Sequence, residues 1–195
     1  EFRRVLFRSR ILTLLFLLGS VQAQTLYCGQ DTNLSAKVTL SNLMTYSQEL
    51  DNAVWFKGNT TVSANSVIAP DGTLTADTLT CNAGTAQHYF YDNPAPAGLA
   101  SGNTERMSVY LKKGTQSYVS VTNLYDDGLV INLSTGTASP VSAASGLSSY
   151  SISSVGDGWY RVIVSYVKTN SETRQLYVTF RTTGALVAGV PSSSC

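Results

Sequence analysis

Short segments in which apolar and polar residues alternate recur along most of the chain. Such a period of two is typical of strands that bury one face and expose the other. The pattern is clearest at residues 106–112 and 175–181, whose apolar faces consist of Met107, Val109, Leu111, Leu176, Val178 and Phe180. Further strands are predicted at residues 62–67, 76–81, 87–91, 118–123, 129–133, 149–155 and 159–167. Only residues 50–55 have a helical pattern, over about one turn.

The predicted strands are separated by short groups of turn-forming residues. Glycine accepts positive φ angles, and aspartate hydrogen-bonds to its own backbone. The groups are Pro70-Asp71-Gly72, Lys113-Gly114, Asp126-Asp127-Gly128, Ser134-Thr135-Gly136 and Gly156-Asp157-Gly158. About ten short strands with such turns predict an all-β, antiparallel two-sheet sandwich. Strand patterns lie on both sides of the Pro- and Gly-rich segment 93–103, so we interpret that segment as a surface loop within one domain.

The first 23 residues are not expected to belong to the folded domain. Residues 1–9, EFRRVLFRS, resemble the translated end of a sequencing-library adapter and are interpreted as an artefact. Residues 10–23 have the order of a secretory signal peptide, with Arg10, an apolar run from Ile11 to Leu18 and a small-residue cleavage site ending at Ala23. The run is shorter than the about 20 residues of a membrane span. We therefore expect cleavage after Ala23, a secreted or cell-surface protein, and no stable membrane insertion of the mature chain.

Cleavage changes the charge balance. The chain has 13 Lys and Arg against 12 Asp and Glu, and its first 23 residues include four Arg and one Glu. The remainder therefore has 9 cationic and 11 acidic residues, a net charge of −2. Its cationic residues are scattered along the sequence. This argues against a nucleic-acid partner, because nucleic-acid binding needs a concentrated positive field.

The three cysteines, Cys28, Cys81 and Cys195, leave the disulfide state open. In an exported protein Cys28 and Cys81 are candidates for a bridge, and separate small buried thiols are the alternative. Tyr27 argues against lipid attachment at Cys28, because a lipidation site has a small residue at that position. No C-x-x-C spacing suggests a metal site.

Four motifs follow one another in the chain: NLMTYSQELDNAVW at 42–55, APDGTLTADTLT at 69–80, VINLSTGT at 130–137 and VGDGWYR at 155–161. In this order they resemble the carbohydrate-binding-module-like jelly-roll domains of phage head-spike and tail-fibre proteins and of some secreted bacterial proteins. The resemblance covers about residues 42–181 and implies a jelly-roll sandwich with a role in extracellular attachment. Its usual closing strand has no counterpart in GVPSSSC, so the module at 42–195 is expected to lack its final strand. Residues 24–41 are interpreted as a linker or edge extension.

Two tryptophans mark the ends of the predicted sandwich. Trp55 and Trp159 each follow a turn-like segment, and burial of a large indole is strongly favourable. We therefore predict that both are core plugs rather than ligand-stacking residues. Arg161, on the strand of Trp159, is expected to pair with Asp157 or Glu105.

Aromatic residues on the polar faces of strands are the candidate ligand-binding residues. A sugar stacks its CH face on a flat ring and hydrogen-bonds to fixed polar groups nearby. Tyr110, Tyr118 and Tyr177 each share a strand face with polar side chains. The carbohydrate-binding candidates are therefore Arg106, Tyr110, Tyr118 and Tyr177, with Tyr89 and Tyr91 as a second group. The alternative is that these tyrosines only reflect the enrichment of aromatic residues in sheets.

No recognisable catalytic set is present in the sequence. A glycosidase needs two carboxyl groups facing each other across a cleft, and no such pair stands out. The single His88 accompanies no Gly-x-Ser-x-Gly motif. Asp126, Asp127 and Gly128 are candidates for oxygen ligands of calcium, but turn formation explains them equally well. We therefore expect no enzymatic activity and no cofactor, with calcium at this turn as the open alternative.

These observations favour a non-catalytic extracellular module that recognises a polysaccharide or a cell-surface glycan. The first alternative is a structural or adhesive fibre module whose faces contact sister modules or neighbouring domains. The second is an accessory domain of a truncated secreted carbohydrate-active enzyme. Because no charge cluster is apparent in the sequence, glycan binding through the tyrosines is expected to respond little to salt.

Overall fold

In the computed structural model, the described part of the chain comprises residues 42, 44–92, 101–123, 128–141, 146–167 and 175–181. From Met44 onward it belongs to one compact unit. No helix occurs among these residues, which form strands β1 Trp55–Gly58, β2 Thr60–Val67, β3 Ala76–Cys81, β4 Tyr89–Asp92, β5 Thr104–Lys112, β6 Tyr118–Thr122, β7 Gly128–Asn132, β8 Thr137–Pro140, β9 Leu147–Gly156, β10 Trp159–Val167 and β11 Tyr177–Arg181. The predicted adapter, signal peptide and linker lie outside the described residues.

The strands form a six-stranded sheet, a three-stranded sheet and a separate hairpin. The six-stranded sheet has the order β1-β4-β11-β6-β7-β8, the three-stranded sheet has the order β5-β10-β9, and β2 pairs with β3. Every pairing is antiparallel. The edge strand β8 ends at Pro140, and an edge tolerates proline because the missing N–H donor is not needed by a further strand.

The inner faces of the two larger sheets contribute to one hydrophobic core. Val121 of β6 and Ile131 of β7 come from the six-stranded sheet, and Val162 and Val164 of β10 come from the three-stranded sheet. Each of these four side chains is at most 1% exposed. The predicted all-β, antiparallel class is confirmed, and two sheets facing one core are consistent with a β-sandwich.

The strand faces follow the predicted alternation. In β5, Met107 is buried and Val109 and Leu111 pack against the core. In β11 and the residues before it, Leu176 and Val178 are 3% and 2% exposed. The intervening side chains lie on the outer faces of their sheets, because successive residues of a strand point to opposite sides.

Residues 45–54 form consecutive turns, so the helical turn predicted at 50–55 is wrong. The backbone N–H groups of Glu49, Asn52 and Trp55 each donate to the carbonyl three residues earlier. The Asn52 side chain also accepts a hydrogen bond from the N–H of Val54, at 3.1 Å. Such a local side-chain bond competes with helix formation. The chain then enters β1 at Trp55.

Trp55 is buried in the core, as predicted. Its ring packs edge-to-face on Phe90, with 5.8 Å between centroids and 64° between planes. Its Nε1–H donates to the carbonyl of Tyr46 at 2.9 Å, which satisfies the one polar group of the indole. Trp55 therefore ties the turn segment to the inner face of the six-stranded sheet.

The carboxylate of Asp77 joins the first two sequence motifs. It accepts hydrogen bonds from the backbone N–H of Leu50 at 2.8 Å and of Asn65 at 2.9 Å. Asn65 has a φ of 51° and lies where the register of β2 against β3 shifts. The second motif is therefore partly structural, since one of its side chains holds both a turn and a bulge.

Trp159 is buried as predicted, but it lies outside the shared core. Val164 and Tyr166 of β10 point into the core, so the odd-numbered Trp159 lies on the outer face of the three-stranded sheet. Its Nε1–H donates to the carbonyl of Ile68 at 3.1 Å, and Lys112 Nζ lies 5.8 Å from the ring centroid. The indole therefore packs between the outer face of the three-stranded sheet and the segment after β2, and it is not a core plug.

The predicted turn Gly156-Asp157-Gly158 joins β9 to β10. Its three residues have φ angles of 96°, 49° and 78°, all in the left-handed region. Glycine has no Cβ to oppose this conformation, and aspartate tolerates it better than most residues. This turn chemistry sets the antiparallel pairing of the two strands.

Cys81, the last residue of β3, is disulfide-bonded. The alternative of three separate thiols is therefore wrong for this cysteine. Cys28, the partner considered from the sequence, and Cys195 lie outside the described residues.

Candidate functional site

Four aromatic side chains gather on the outer face of the six-stranded sheet. Trp55, Phe90 and Val178 point into the core from β1, β4 and β11. Their neighbours along each strand must therefore point outward. The outward aromatic residues, called the aromatic row below, are Phe56, Tyr89, Tyr91 and Tyr177.

The strand register brings these residues side by side. Phe56 of β1 lies opposite Tyr91 of β4, and Tyr91 lies opposite Tyr177 of β11. Tyr89 lies two residues from Tyr91, opposite Gly58 on one side and Thr179 on the other. The row thus crosses three adjacent strands.

The rings of the aromatic row stack on one another. Centroids are 5.0 Å apart between Phe56 and Tyr91 and 4.4 Å apart between Tyr91 and Tyr177, with planes inclined by 26° and 15°. Tyr89 stacks on Tyr91 and Tyr177 at 6.1 and 5.9 Å. In such an offset stack the ring faces cover one another, so the row presents mainly ring edges to solvent. Phe56 is at the end of the row and is 44% exposed, so it keeps an accessible surface.

Gly58 makes room for the Tyr89 ring. A Cβ built on Gly58 would lie 2.5 Å from two carbon atoms of that ring. Gly58 is nevertheless buried, because the ring covers its backbone. An aromatic ring across from a strand glycine restores packing that the missing side chain would otherwise have provided. The close approach therefore fixes where Tyr89 lies.

Beyond the aromatic row, the same sheet face has three hydroxyl-bearing residues, Ser120, Thr122 and Thr179, which are called the polar floor below. Tyr177 lies opposite Thr122, and Thr179 lies opposite Ser120. Ser120 and Thr122 are 1% and 2% exposed, and the Ser120 hydroxyl has no hydrogen-bond partner. A buried hydroxyl without a partner is energetically costly, and at 1% exposure it lies below the surface that a ligand could contact.

Tyr118 is on this face but apart from the aromatic row. It lies opposite Arg181, four residues along β11 from Tyr177, which corresponds to about 13 Å. Its hydroxyl accepts a hydrogen bond of 3.3 Å from the Asn132 amide. Tyr118 therefore borders the polar floor on the side away from the row.

Arg106 and Tyr110 lie on the outer face of the other sheet. Both are exposed residues of β5, and the shared core separates this face from the aromatic row. The first group of candidates, Arg106, Tyr110, Tyr118 and Tyr177, is therefore divided between two surfaces and does not form one binding platform. Alternation assigns a residue to one side of its strand, but it does not say to which sheet the strand belongs.

The face that carries Tyr110 has its own organisation. The guanidinium carbon of Arg161 lies 5.7 Å from the centroid of the Tyr110 ring, to which it is paired in register. The expected pairing of Arg161 with Asp157 or Glu105 is not observed among the described residues. Glu105 is on the core side of β5, whereas Arg161 points outward from β10, so these two side chains cannot meet.

Arg106 lines an open depression of about 240 Å³ on that face. The other lining residues are Ser149, Tyr150, Ser151, Ile163 and Ser165. Arg106 is exposed, so its guanidinium group is accessible to a ligand in this depression. The depression thus combines one cation with several hydroxyl groups.

Two titratable groups of the six-stranded sheet lie below its surface. His88 is fully buried, and its Nε2 is 2.7 Å from the carbonyl of Asn82. Asp92 is 6% exposed, and its Oδ1 accepts a hydrogen bond from the Leu176 N–H at 2.7 Å. Burial raises the pKa of Asp92, although the hydrogen bond from Leu176 opposes this shift. Both side chains support the strand ends beneath the aromatic row.

No group of three or more His, Cys, Asp or Glu side chains is arranged to hold a metal within the part of the chain that the structure describes. The predicted calcium ligands Asp126 and Asp127 lie outside that part. Among the same described residues, no helix is long and apolar enough to cross a membrane.

The chain has no significant match to a protein-family model or to a curated protein. The candidate site therefore depends on its own geometry. Tyr89, Tyr91 and Tyr177 of the aromatic row were predicted from the sequence as candidate binding residues, whereas Phe56 was not. The available signal was the alternation of Trp55, Phe56 and Lys57, which the helical pattern at 50–55 obscured.

Proposed function

We propose that this protein is a non-catalytic extracellular glycan-recognition module with a jelly-roll sandwich fold. The observation that carries the proposal is the aromatic row, four stacked rings on one outer sheet face beside a polar floor. The resemblance of the four sequence motifs to carbohydrate-binding-module-like domains supports the same conclusion.

The chemistry of the aromatic row suits a saccharide. The exposed part of Phe56 offers an apolar surface for the CH groups of a sugar ring. The phenolic hydroxyls of Tyr89 and Tyr91 can donate to and accept from sugar hydroxyls. Ligand sites generally combine apolar surface with a few fixed polar groups in this way.

The binding is expected to be modest. The stacked rings offer mainly edges, and a sheet face encloses a sugar less than a deep cleft does. The rings are already held against one another, so little side-chain entropy is lost when a ligand binds. We therefore expect weak binding of each sugar by a rigid surface, with little dependence on salt because the row is uncharged.

A glycan-array screen of the purified protein tests the proposal. Tyr91→Ala removes the ring at the centre of the stack, and Phe56→Ala removes its exposed end. Both variants should lose binding while retaining the β-type circular dichroism spectrum. For neutral glycans, Tyr110→Ala is the matched control for Phe56→Ala, because it removes a ring of similar exposure from the outer face of the other sheet. Failure to retain any glycan, or equal binding by Tyr91→Ala and wild type, would contradict the proposal.

A structural or adhesive fibre module is the second candidate function. Phe56 is an exposed apolar residue on β1, which is an edge strand of the six-stranded sheet. Exposed edge strands are frequent sites of pairing with another chain. If this is the function, the wild-type protein should self-associate in sedimentation experiments and Phe56→Ser should remain monomeric. A monomeric wild-type protein over the whole concentration range would argue against it.

A further inference from the structure

The outer face of the three-stranded sheet gathers cations that are far apart in the sequence. Antiparallel pairing of β5 with β10 places Arg106, Lys112 and Arg161 on this one face. The three strands contribute no Asp or Glu to it among the described residues. Glu105 is buried on the core side of β5, and Asp157 lies in the turn beyond the Trp159 end of β10. The face is therefore positive in a chain whose predicted mature form is slightly acidic.

Two of these cations are held in place by aromatic rings. Arg161 lies over Tyr110, and Lys112 lies over Trp159. A cation above a ring face is stabilised by the ring quadrupole, while its N–H groups at the periphery remain able to donate. Holding these long side chains before a ligand arrives reduces the entropy lost on binding.

The third cation is set among hydroxyl groups. Arg106 lines the depression together with Ser149, Ser151 and Ser165. A guanidinium group can donate two parallel hydrogen bonds to a carboxylate or a similar anion. The serine hydroxyls offer further donors and acceptors that match sugar hydroxyls. The depression therefore suits a sugar unit that carries an anionic group.

The spacing of the cations indicates a polymer rather than a small anion. Arg106 and Tyr110 are four residues apart along β5, about 13 Å, and Arg161 lies opposite Tyr110. Lys112 lies two residues beyond Tyr110, about 7 Å further along the strand. A single phosphate or carboxylate cannot reach all three positions, which together span about 20 Å along the strands. A chain with repeated anionic groups can contact all three.

We propose that this cationic face, defined by Arg106, Arg161 and Lys112, binds an acidic polysaccharide. Carboxylate and sulfate groups both satisfy the chemistry described. Nucleic acid is disfavoured because the described residues place only three separated cations on this face and the Tyr110 ring face is occupied by Arg161. The site is independent of the aromatic row and lies on the other sheet.

Binding of the purified protein to immobilised polymers tests this inference. The probes are polygalacturonate for carboxylates, dextran sulfate for sulfates, dextran as the neutral control and a single-stranded oligonucleotide. We expect retention on at least one acidic polysaccharide and none on dextran. Raising the ionic strength to about 0.15 M should weaken the retention, because the Debye length falls to about 8 Å.

Single substitutions locate the site. Arg106→Gln and Arg161→Gln should each weaken binding about tenfold, the loss of one charge-assisted contact. Lys113→Gln is the matched control, because it removes the same charge from an exposed loop residue directly after β5. Tyr91→Ala should leave this binding unchanged, which separates it from the function proposed for the aromatic row.

Several results would overturn the inference. They are absence of binding to both acidic polysaccharides, equal binding to dextran, and tighter binding to the oligonucleotide. An equal loss in Lys113→Gln and Arg106→Gln would show that overall charge alone is responsible. Arg106, Lys113 and Arg161 are exposed, and the half-buried Tyr91 points outward from its sheet, so a circular dichroism spectrum like that of wild type is expected for each variant.

Discussion

Replacing Trp159 by alanine should destabilise the protein strongly, although this residue lies outside the shared core. The indole is only 8% exposed and contacts the segment after β2. Burial of an aromatic side chain removes about 150–250 Å² from water, worth about 4–6 kcal/mol at about 25 cal/mol per Å². Relaxation of the neighbouring structure lowers the expected loss to about 3–5 kcal/mol.

A second substitution separates the apolar contribution from the hydrogen bond. Trp159→Phe keeps most of the buried area but removes the donor to the Ile68 carbonyl. The expected loss is about 1–2 kcal/mol, because one buried acceptor loses its partner. Leu74→Ala is the control, since Leu74 belongs to the same connection between β2 and β3 but is 56% exposed. Its effect should be within about 0.5 kcal/mol.

Urea unfolding followed by far-ultraviolet circular dichroism measures these changes, since tryptophan fluorescence would itself be altered by the substitutions. The free energy of unfolding should fall in the order Leu74→Ala, Trp159→Phe, Trp159→Ala, with the slope against urea unchanged. A loss below about 1 kcal/mol for Trp159→Ala would refute the argument, because a sealed indole cannot be removed at so small a cost. Equal losses for the Phe and Ala variants would show that the hydrogen bond, not the buried area, is responsible.

Two further predictions concern the six-stranded sheet. Gly58→Ala should displace the Tyr89 ring, because the new Cβ would lie 2.5 Å from that ring. The displacement should change the near-ultraviolet circular dichroism of the tyrosines, and an unchanged spectrum would contradict the prediction. Asp92→Asn should become more stable relative to wild type as the pH rises above 3.8, the ordinary pKa of the carboxyl group. Burial raises the pKa of Asp92 in the folded state, so as the pH rises the carboxyl group loses its proton in the unfolded chain before it does so in the folded protein. The wild-type free energy of unfolding therefore falls with rising pH until the pH has passed the pKa of the folded state. Urea midpoints of both proteins at pH 3.5 and 7 measure the difference, and an equal difference at both pH values would disprove it.

Alternation along single strands could be predicted because it depends only on local backbone geometry. The buried and outer faces of β5 and β11 follow directly from the order of residues in each. The turn at Gly156-Asp157-Gly158 was equally predictable, since its residues themselves favour positive φ. β1 was missed because the helical pattern at 50–55 obscured its start, and β8 was missed because it is short and ends in Pro140.

The membership of the candidate site was only partly predictable. Tyr89, Tyr91 and Tyr177 were assigned correctly to polar strand faces, but Tyr177 was grouped with Tyr110. The pairing of β4 with β11 joins segments more than 80 residues apart, and nothing local in either segment specifies that contact. Phe56 joined the row only because β1 pairs with the other side of β4.

By itself, the sequence determined the strand class, the faces of the clearest strands, the burial of Trp55 and Trp159, and the turns that carry glycine and aspartate. Each of these follows from the chemistry of a few neighbouring residues. Only the tertiary structure decided which tyrosines share a surface, where Trp159 is buried, and that Arg106, Lys112 and Arg161 form one cationic face. These features depend on which strands become neighbours, and strand order is set by the burial of the whole core rather than by any single segment.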